Sequence, residues 1–312
     1  MSKVLTVFGA TGVQGGSVIR AVLADPALSQ TFKIRAVTRD VSQSSAKALT
    51  SQGIEVVAAD LNSQSAIEKA LAGTDTLFLV TVPDFVTGAV PGTEFEHGKN
   101  VADAAERVGV HHIIFSSLIN VTNASKGRLL HVAHFDRKAD IEDHIRSKNI
   151  PATFIQPGYY MTNFTNLQLL RKGDDGSYTL AGPTNGSKAQ LPLFYAESDM
   201  GKYFVAVAKN PSKVMGKQVY AAADYYTPER IVTEFQEVTG RKAQYVQLEQ
   251  DVYKSFIPPP IAQELLENEL LCEDPGFFAG GSLTEGHELL AEVGLTPTTW
   301  KDFLSSKKEL FE

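Results

Sequence analysis

A single cysteine, Cys272, excludes an intramolecular disulfide and any metal centre built from several thiolates, and it suits a reducing compartment. Long apolar runs are missing too: no window approaches the ~18 uninterrupted residues of a membrane span, so no membrane association is expected. Positive charge is in short supply. With 29 Lys and Arg against 36 Asp and Glu, the formal charge of −7 has the wrong sign to attract nucleic acid phosphates or anionic lipid. Direct binding to nucleic acid is therefore not expected. Of the seven histidines, His111-His112 opens an apolar run and His131 and His134 stand three apart, with no further ligand at zinc spacing, so no metal is expected. After Met1-Ser2-Lys3 the chain enters an apolar run without the features of a secretory signal. The expected location is the cytoplasm, with entry to the nucleus left open.

What is present is an ordinary globular composition, 43% apolar and 21% charged over 312 residues, enough for about two domains. Short runs rich in Val, Ile and Phe alternate with helix-length amphipathic stretches through the first half. The strand candidates are 4–8, 33–37, 54–58, 76–80, 112–115 and 152–155; the helix candidates are 14–23, 44–51, 65–71, 94–108 and 136–147. This alternation predicts an α/β fold, a doubly wound parallel Rossmann sheet with a second, smaller C-terminal α/β domain. The dinucleotide domain is expected over 1–157 and the smaller one over 158–312, with a later strand near 217–224 rejoining the main sheet. Gly173-Asp174-Asp175-Gly176 and Gly182–Gly186 read as turns and a hairpin, and the segment 261–271, entered through three prolines, as a helix that either packs into the core or serves as a substrate lid or partner surface.

The segment Gly9-Ala10-Thr11-Gly12-Val13-Gln14-Gly15 leaves a strand and opens a helix, the context a phosphate-binding turn requires. Gly9 permits the tight turn, Gly12 lets a pyrophosphate approach the backbone, and Gly15 lets the helix pack closely on the strand. The N–H groups of the first helical turn then face the anion, with the helix dipole behind them. The three glycines are spaced three and three, where the usual fingerprint has two and three. At the end of the second strand, Thr38-Arg39 offers a guanidinium suited to a ribose 2′-phosphate and no acid at the strand end, which favours NADP(H) over NAD(H). Asp40, one residue on, would reverse that preference if the strand ran longer.

The combination of Gly9–Gly15, Thr38-Arg39, Ala59-Asp60-Leu61, His134-Phe135-Asp136-Arg137-Lys138 and Gln156–Phe164 resembles the NmrA-like branch of the atypical short-chain dehydrogenases/reductases. The resemblance implies a Rossmann domain holding NADP(H) and a smaller domain closing a cleft over the nicotinamide. It implies that Asp60 and Leu61 lie near the adenine, that Thr81, Val82 and Pro83 line the nicotinamide-side ribose, and that Lys138 grips the ribose hydroxyls. Asp60, Thr81 and Ser116 also fall at carboxyl ends of expected strands, where open α/β folds bind ligands; as strand-end residues they equally suit turns and helix caps. Pro157 and Tyr159, after the sixth strand, complete the expected cofactor set.

Ordinary superfamily members place a tyrosine four residues before the lysine, on the same helical face, as proton donor. Here that position is His134, either a proton donor near neutral pH or a plain helix-start residue. Tyr159 and Tyr160 are the other candidate donors, or else core aromatics at a domain junction. Two functions follow from the resemblance. One is an NADP(H)-binding redox sensor or regulator with little or no dehydrogenase activity; the other is an NADPH-dependent oxidoreductase acting on a small organic or secondary-metabolite substrate. The expected partner is accordingly a small-molecule ligand or a regulatory protein. The sequence sets no oligomeric state.

Overall fold

The computed structural model describes residues 2–311. Seven parallel strands form its central sheet: β1 (Lys3–Phe8), β2 (Phe32–Thr38), β3 (Glu55–Ala58), β4 (Thr76–Leu79), β5 (His112–Ser116), β6 (Ala152–Pro157) and, much later in the chain, β11 (Gln218–Ala221). Their order is β11-β6-β5-β4-β1-β2-β3. The expected doubly wound sheet is thus present, with its order reversing between β1 and β4. Strand ends differ from the sequence reading by one or two residues: β4 stops at Leu79 rather than Val80, and β6 continues to Pro157.

Alternation along these strands feeds two separate cores, as a sheet covered on both faces demands. Leu5, Val7, Ile34, Phe78, Ile114 and Ile155 face the helices Val13–Ala24 and Ala196–Lys209. Phe8, Val37, Leu77, Leu79, Phe115 and Phe154 face the helices Thr93–Val108 and Ala133–Arg146. Helix Ala196–Lys209 lies hard against Val13–Ala24 because residue 201 is glycine: a Cβ there would stand 2.4 Å from the Ser17 carbonyl oxygen. The Gly201 N–H instead donates to Ser17 Oγ at 2.9 Å.

Between β6 and the C-terminus the chain also builds a smaller α/β unit from β7 (Tyr159–Tyr160), β8 (Leu170–Lys172), β9 (Tyr178–Gly182), β10 (Leu191–Phe194), β12 (Tyr225–Tyr226) and β13 (Ala243–Gln247). They form two three-stranded sheets, β12-β10-β7 and β13-β9-β8. The turn 173–177 closes the β8–β9 hairpin, whereas the turn 182–186 leaves β9 without making another, since β13 pairs with β9 in parallel. A third core, rich in rings such as Phe164, Phe235, Trp300 and Phe303, fills this unit. The helix expected from residue 261 begins at Pro259 and ends at Leu271. No helix among the described residues is long and apolar enough to cross a membrane.

Candidate functional site

At the reversal of strand order, β1 ends at Phe8 and the chain turns through Gly9 at φ +67°. A Cβ on Gly9 would come within 2.6 Å of Val80 Cγ1, on the segment leaving β4. The helix that follows starts at Val13. Its N-cap is Gly12, which offers no side chain to the first-turn N–H groups, and the turn contains no acidic residue. An uncapped, acid-free helix start is one whose donors and dipole are left for an outside anion. Thr11, Gly12 and Val13 are exposed along a groove shared with Arg20 and Ser198. Gln14 points inward and donates from Nε2 to Tyr160 Oη at 2.5 Å, tying the turn to β7.

The end of β2 resolves the ambiguity between Arg39 and Asp40 in terms of contacts. Asp40 is committed to its own turn: Oδ1 accepts from Ser42 N at 2.8 Å and Ser42 Oγ at 2.7 Å, bonds that hold its carboxyl below the usual range. Arg39 is exposed, one residue past Thr38, and its side chain makes no hydrogen bond or ion pair among the described residues. Asp60 lies two residues beyond β3, not at its end, and its Oδ1 caps the Asn62 N–H at 2.9 Å. The adjoining Leu61 carbonyl accepts from Asn100 Nδ2. Of the segment after β4, Val82 is half exposed, Pro83 partly buried and Thr81 buried. Ser116 closes β5 opposite Ile155 of β6, with its hydroxyl buried and without a partner among the described residues; Pro157 ends β6 two residues further on.

Lys138 is fully engaged. Its Nζ donates to Glu94 Oε1 at 2.6 Å, to Thr81 Oγ1 at 2.8 Å and to the Thr81 carbonyl at 2.9 Å. All three groups are buried, and Thr81 Oγ1 in turn donates to Glu94 Oε1 at 2.7 Å. An ammonium has three donors, so none is left over; a bond to a ribose hydroxyl would require one of these to be exchanged. His134, four residues earlier, turns elsewhere. Its Nδ1 and its backbone N–H both meet Glu264 Oε1, at 2.6 and 3.0 Å, and Phe85 and Phe135 pack edge-on against the ring.

The two tyrosines diverge. Tyr160 faces Gln14, and burial pushes its phenol up to about 12. Tyr159 points into the smaller unit, where its hydroxyl donates to Glu269 Oε1 at 2.9 Å. Burial pushes the Glu269 carboxyl up to about 7 against the lowering effect of that bond. Burial and the Glu269 charge also push the Tyr159 phenol and the Cys272 thiol well up.

The structure therefore assembles the turn, Arg39, Thr81 and Ser116 along one edge of the sheet, and separates Lys138, His134 and Tyr159, each held by a different glutamate. None of Glu94, Glu264 or Glu269 is apparent from the sequence as a site residue. One signal was available: His131 and His134 stand three apart, as do Glu264 and Glu267 on an antiparallel helix, and the pairs match, with His131 Nδ1 meeting Glu267 Oε1 at 2.6 Å.

Comparison with known proteins agrees with this architecture. The chain is 32% identical over 290 residues to the NmrA-like family domain-containing oxidoreductase malD of Malbranchea aurantiaca, covering 89% of this chain and 84% of that one. Among solved structures it superposes with a TM-score of 0.81 on NmrA, a negative transcriptional regulator, in complex with NADP, at 24% identity and with 98% and 95% of the two chains covered. It also superposes with a TM-score of 0.77 on the Citrobacter sp. triphenylmethane reductase complexed with NADP(H), at 23% identity and with 98% and 99% covered. The NmrA-like family matches residues 1–304. The chain belongs to the NmrA-like family.

Proposed function

We propose that this protein binds NADP(H) across the crevice between β1 and β4 and acts as a sensor or regulator of redox state, with little or no dehydrogenase turnover. The observation that carries the cofactor half is the uncapped helix start behind Gly9 together with the unpaired Arg39 at the end of β2. The N–H groups of Val13, Gln14 and Gly15 would hold the pyrophosphate, Thr38 and Arg39 the 2′-phosphate, and Asp60 and Leu61 the adenine side. Thr81, Val82, Pro83, Ser116 and Pro157 would line the nicotinamide end. Two co-crystallised neighbours of the same fold, NmrA with NADP and triphenylmethane reductase with NADP(H), support this choice.

What favours a sensor over an enzyme is Lys138. In a working Tyr-x-x-x-Lys pair the ammonium lowers the phenol pKa; here its three donors are spent on Glu94 and Thr81, and the residue four before it is a histidine held by Glu264. NADPH supplies a hydride when bound, but a reduction also needs a proton, and no phenol stands ready beside that lysine. In this reading residues 1–157 with β11 hold the nucleotide, and 158–312 carry the surface for a small ligand or a regulatory protein, in a reducing cytoplasm with access to the nucleus.

The second reading, an NADPH-dependent oxidoreductase of small organic molecules, draws on the malD relationship and on the Tyr159–Glu269 pair, since a carboxyl with a pKa about 7 can deliver a proton near neutral pH. NADPH absorbance followed against quinones, aldehydes, enones and imines separates the two. The sensor reading expects no oxidation above the protein-free rate, and clear turnover on any of them establishes the oxidoreductase.

Calorimetric titration tests the cofactor. NADPH should bind about 10- to 150-fold tighter than NADH, the value of a charged hydrogen bond of roughly 1.5–3 kcal/mol. Arg39→Ala should erase most of that preference while leaving NADH binding near its original strength. Equal affinities in the unmodified protein would sink the assignment.

A further inference from the structure

The Glu269 carboxylate sits at an unusual address. It lines a cavity of about 30 Å³ in the smaller unit, walled by Tyr159, Tyr245, Tyr253, Phe164 and Thr184. One oxygen accepts the Tyr159 hydroxyl, while Oε2 makes no hydrogen bond or ion pair among the described residues. Tyr245 is turned so that its hydroxyl donates to the Thr184 carbonyl at 2.7 Å, which fixes one aromatic wall. Among the described residues the titratable groups packed around the carboxylate are Tyr159 at β7, Tyr245 on β13, Tyr253 on the helix Gln250–Ser255 and Cys272 just past its own helix; all are acids, and none of them is a cation. A carboxylate set among aromatic faces with no internal counter-ion is electrostatically incomplete. The same parts, an anion and several π-faces, are what recognises an organic cation.

We propose that this cavity is a binding site for a small protonated amine, its ammonium held by Glu269 Oε2 and boxed by the Tyr159, Tyr245 and Tyr253 rings. A cation of this kind donates N–H bonds to the carboxylate and also supplies the missing charge, which a neutral donor of equal size cannot. The volume admits an ammonium head or a methyl-sized neighbour, room for about two waters, and leaves the remainder of the ligand in the mouth. The site is distinct from the phosphate turn, so it goes beyond the cofactor reading and stands or falls separately.

The full-length protein without added nucleotide would be titrated with n-butylammonium and with n-butanol as its neutral counterpart, with tyrosine resonances as the readout. At pH 8 the amine should bind at least about tenfold tighter than the alcohol, the value of one charge-assisted contact. Its affinity should rise about tenfold from pH 6 to pH 8, because the ionised fraction of a carboxyl titrating at about 7 rises from about one eleventh to about ten elevenths while the amine stays charged. Glu269→Gln, which keeps the shape and can still accept from Tyr159, should remove both the preference and the pH slope without shifting the melting temperature. Should that variant fail to fold, Tyr253→Leu opens one wall and should weaken the amine several-fold while keeping the slope. Equal binding of amine and alcohol, no saturable binding of the amine, or a pH slope that survives Glu269→Gln would each overturn the proposal. Failure of the cofactor reading would show only in the NADPH titrations.

Discussion

Lys138→Met is expected to cost about 3–5 kcal/mol of folding stability, because it strands the buried Glu94 carboxylate without its counter-ion. The expectation rests on burial on both sides: Lys138 is 6% and Glu94 1% exposed, and Thr81, the only other hydrogen-bond partner of Glu94 Oε1 among the described residues, is buried as well. Glu94 Oε2 already lacks a partner among the described residues, so the carboxylate has no second anchor there to fall back on. Adding Glu94→Leu to the same chain should return much of the loss, since an apolar pair of similar volume replaces two buried charges at little net cost. Urea unfolding of the two single variants and the double variant gives the coupling directly. A single-variant loss below about 1 kcal/mol would mean that the pair is solvated or that Lys138 spends its time elsewhere, and the argument against its role as a tyrosine's partner would go with it.

Gly15→Ala should destabilise the protein and abolish the thermal shift produced by NADPH. The added Cβ would stand 2.2 Å from the Gly9 carbonyl oxygen, 2.6 Å from its carbon and 2.9 Å from Ala10 Cα, all of them backbone atoms that no rotamer can move. Relief requires the helix to lift off the end of β1, which overpacking costs of about 1–3 kcal/mol or more describe. Gly12→Ala provides the contrast. Its Cβ approaches only Gly9 O, at 3.2 Å, and otherwise projects into the groove, so the fold should survive it while nucleotide binding weakens. Melting curves with and without NADPH distinguish these outcomes, and a Gly15→Ala protein that melts and responds like the parent would remove that glycine from the packing argument.

The sheet was legible in the sequence because β1, β2, β4, β5 and β6 are short apolar runs bounded by Gly, Asp or Asn, with helix-length stretches between them. The smaller unit was not. Its strands β7 and β12 are two residues each, too short to show a period. Helix Ala196–Lys209 passed unnoticed for a different reason: Tyr203, Phe204, Val205, Ala206 and Val207 are five consecutive buried residues, so its second half shows no clear helical rhythm. At the candidate site, the glycine turn and the strand-end residues follow from local pattern. The carboxylates that hold Lys138, His134 and Tyr159 do not, since Glu94 lies 44, Glu264 130 and Glu269 110 residues from their partners, and only the fold brings such distances together.

The late return of β11 to the main sheet has a consequence for how this protein can be cut and rebuilt. Its register on β6, from Gln218 opposite Phe154 to Ala221 opposite Pro157, means an edge strand of the main sheet is delivered only after β7–β10 of the other unit have been threaded. A fragment ending at residue 157 would leave β6, whose six residues are all buried, as a bare apolar edge open to pairing with a second chain. The two units are therefore interlaced rather than strung in series, and they must be inherited, expressed and engineered as one piece.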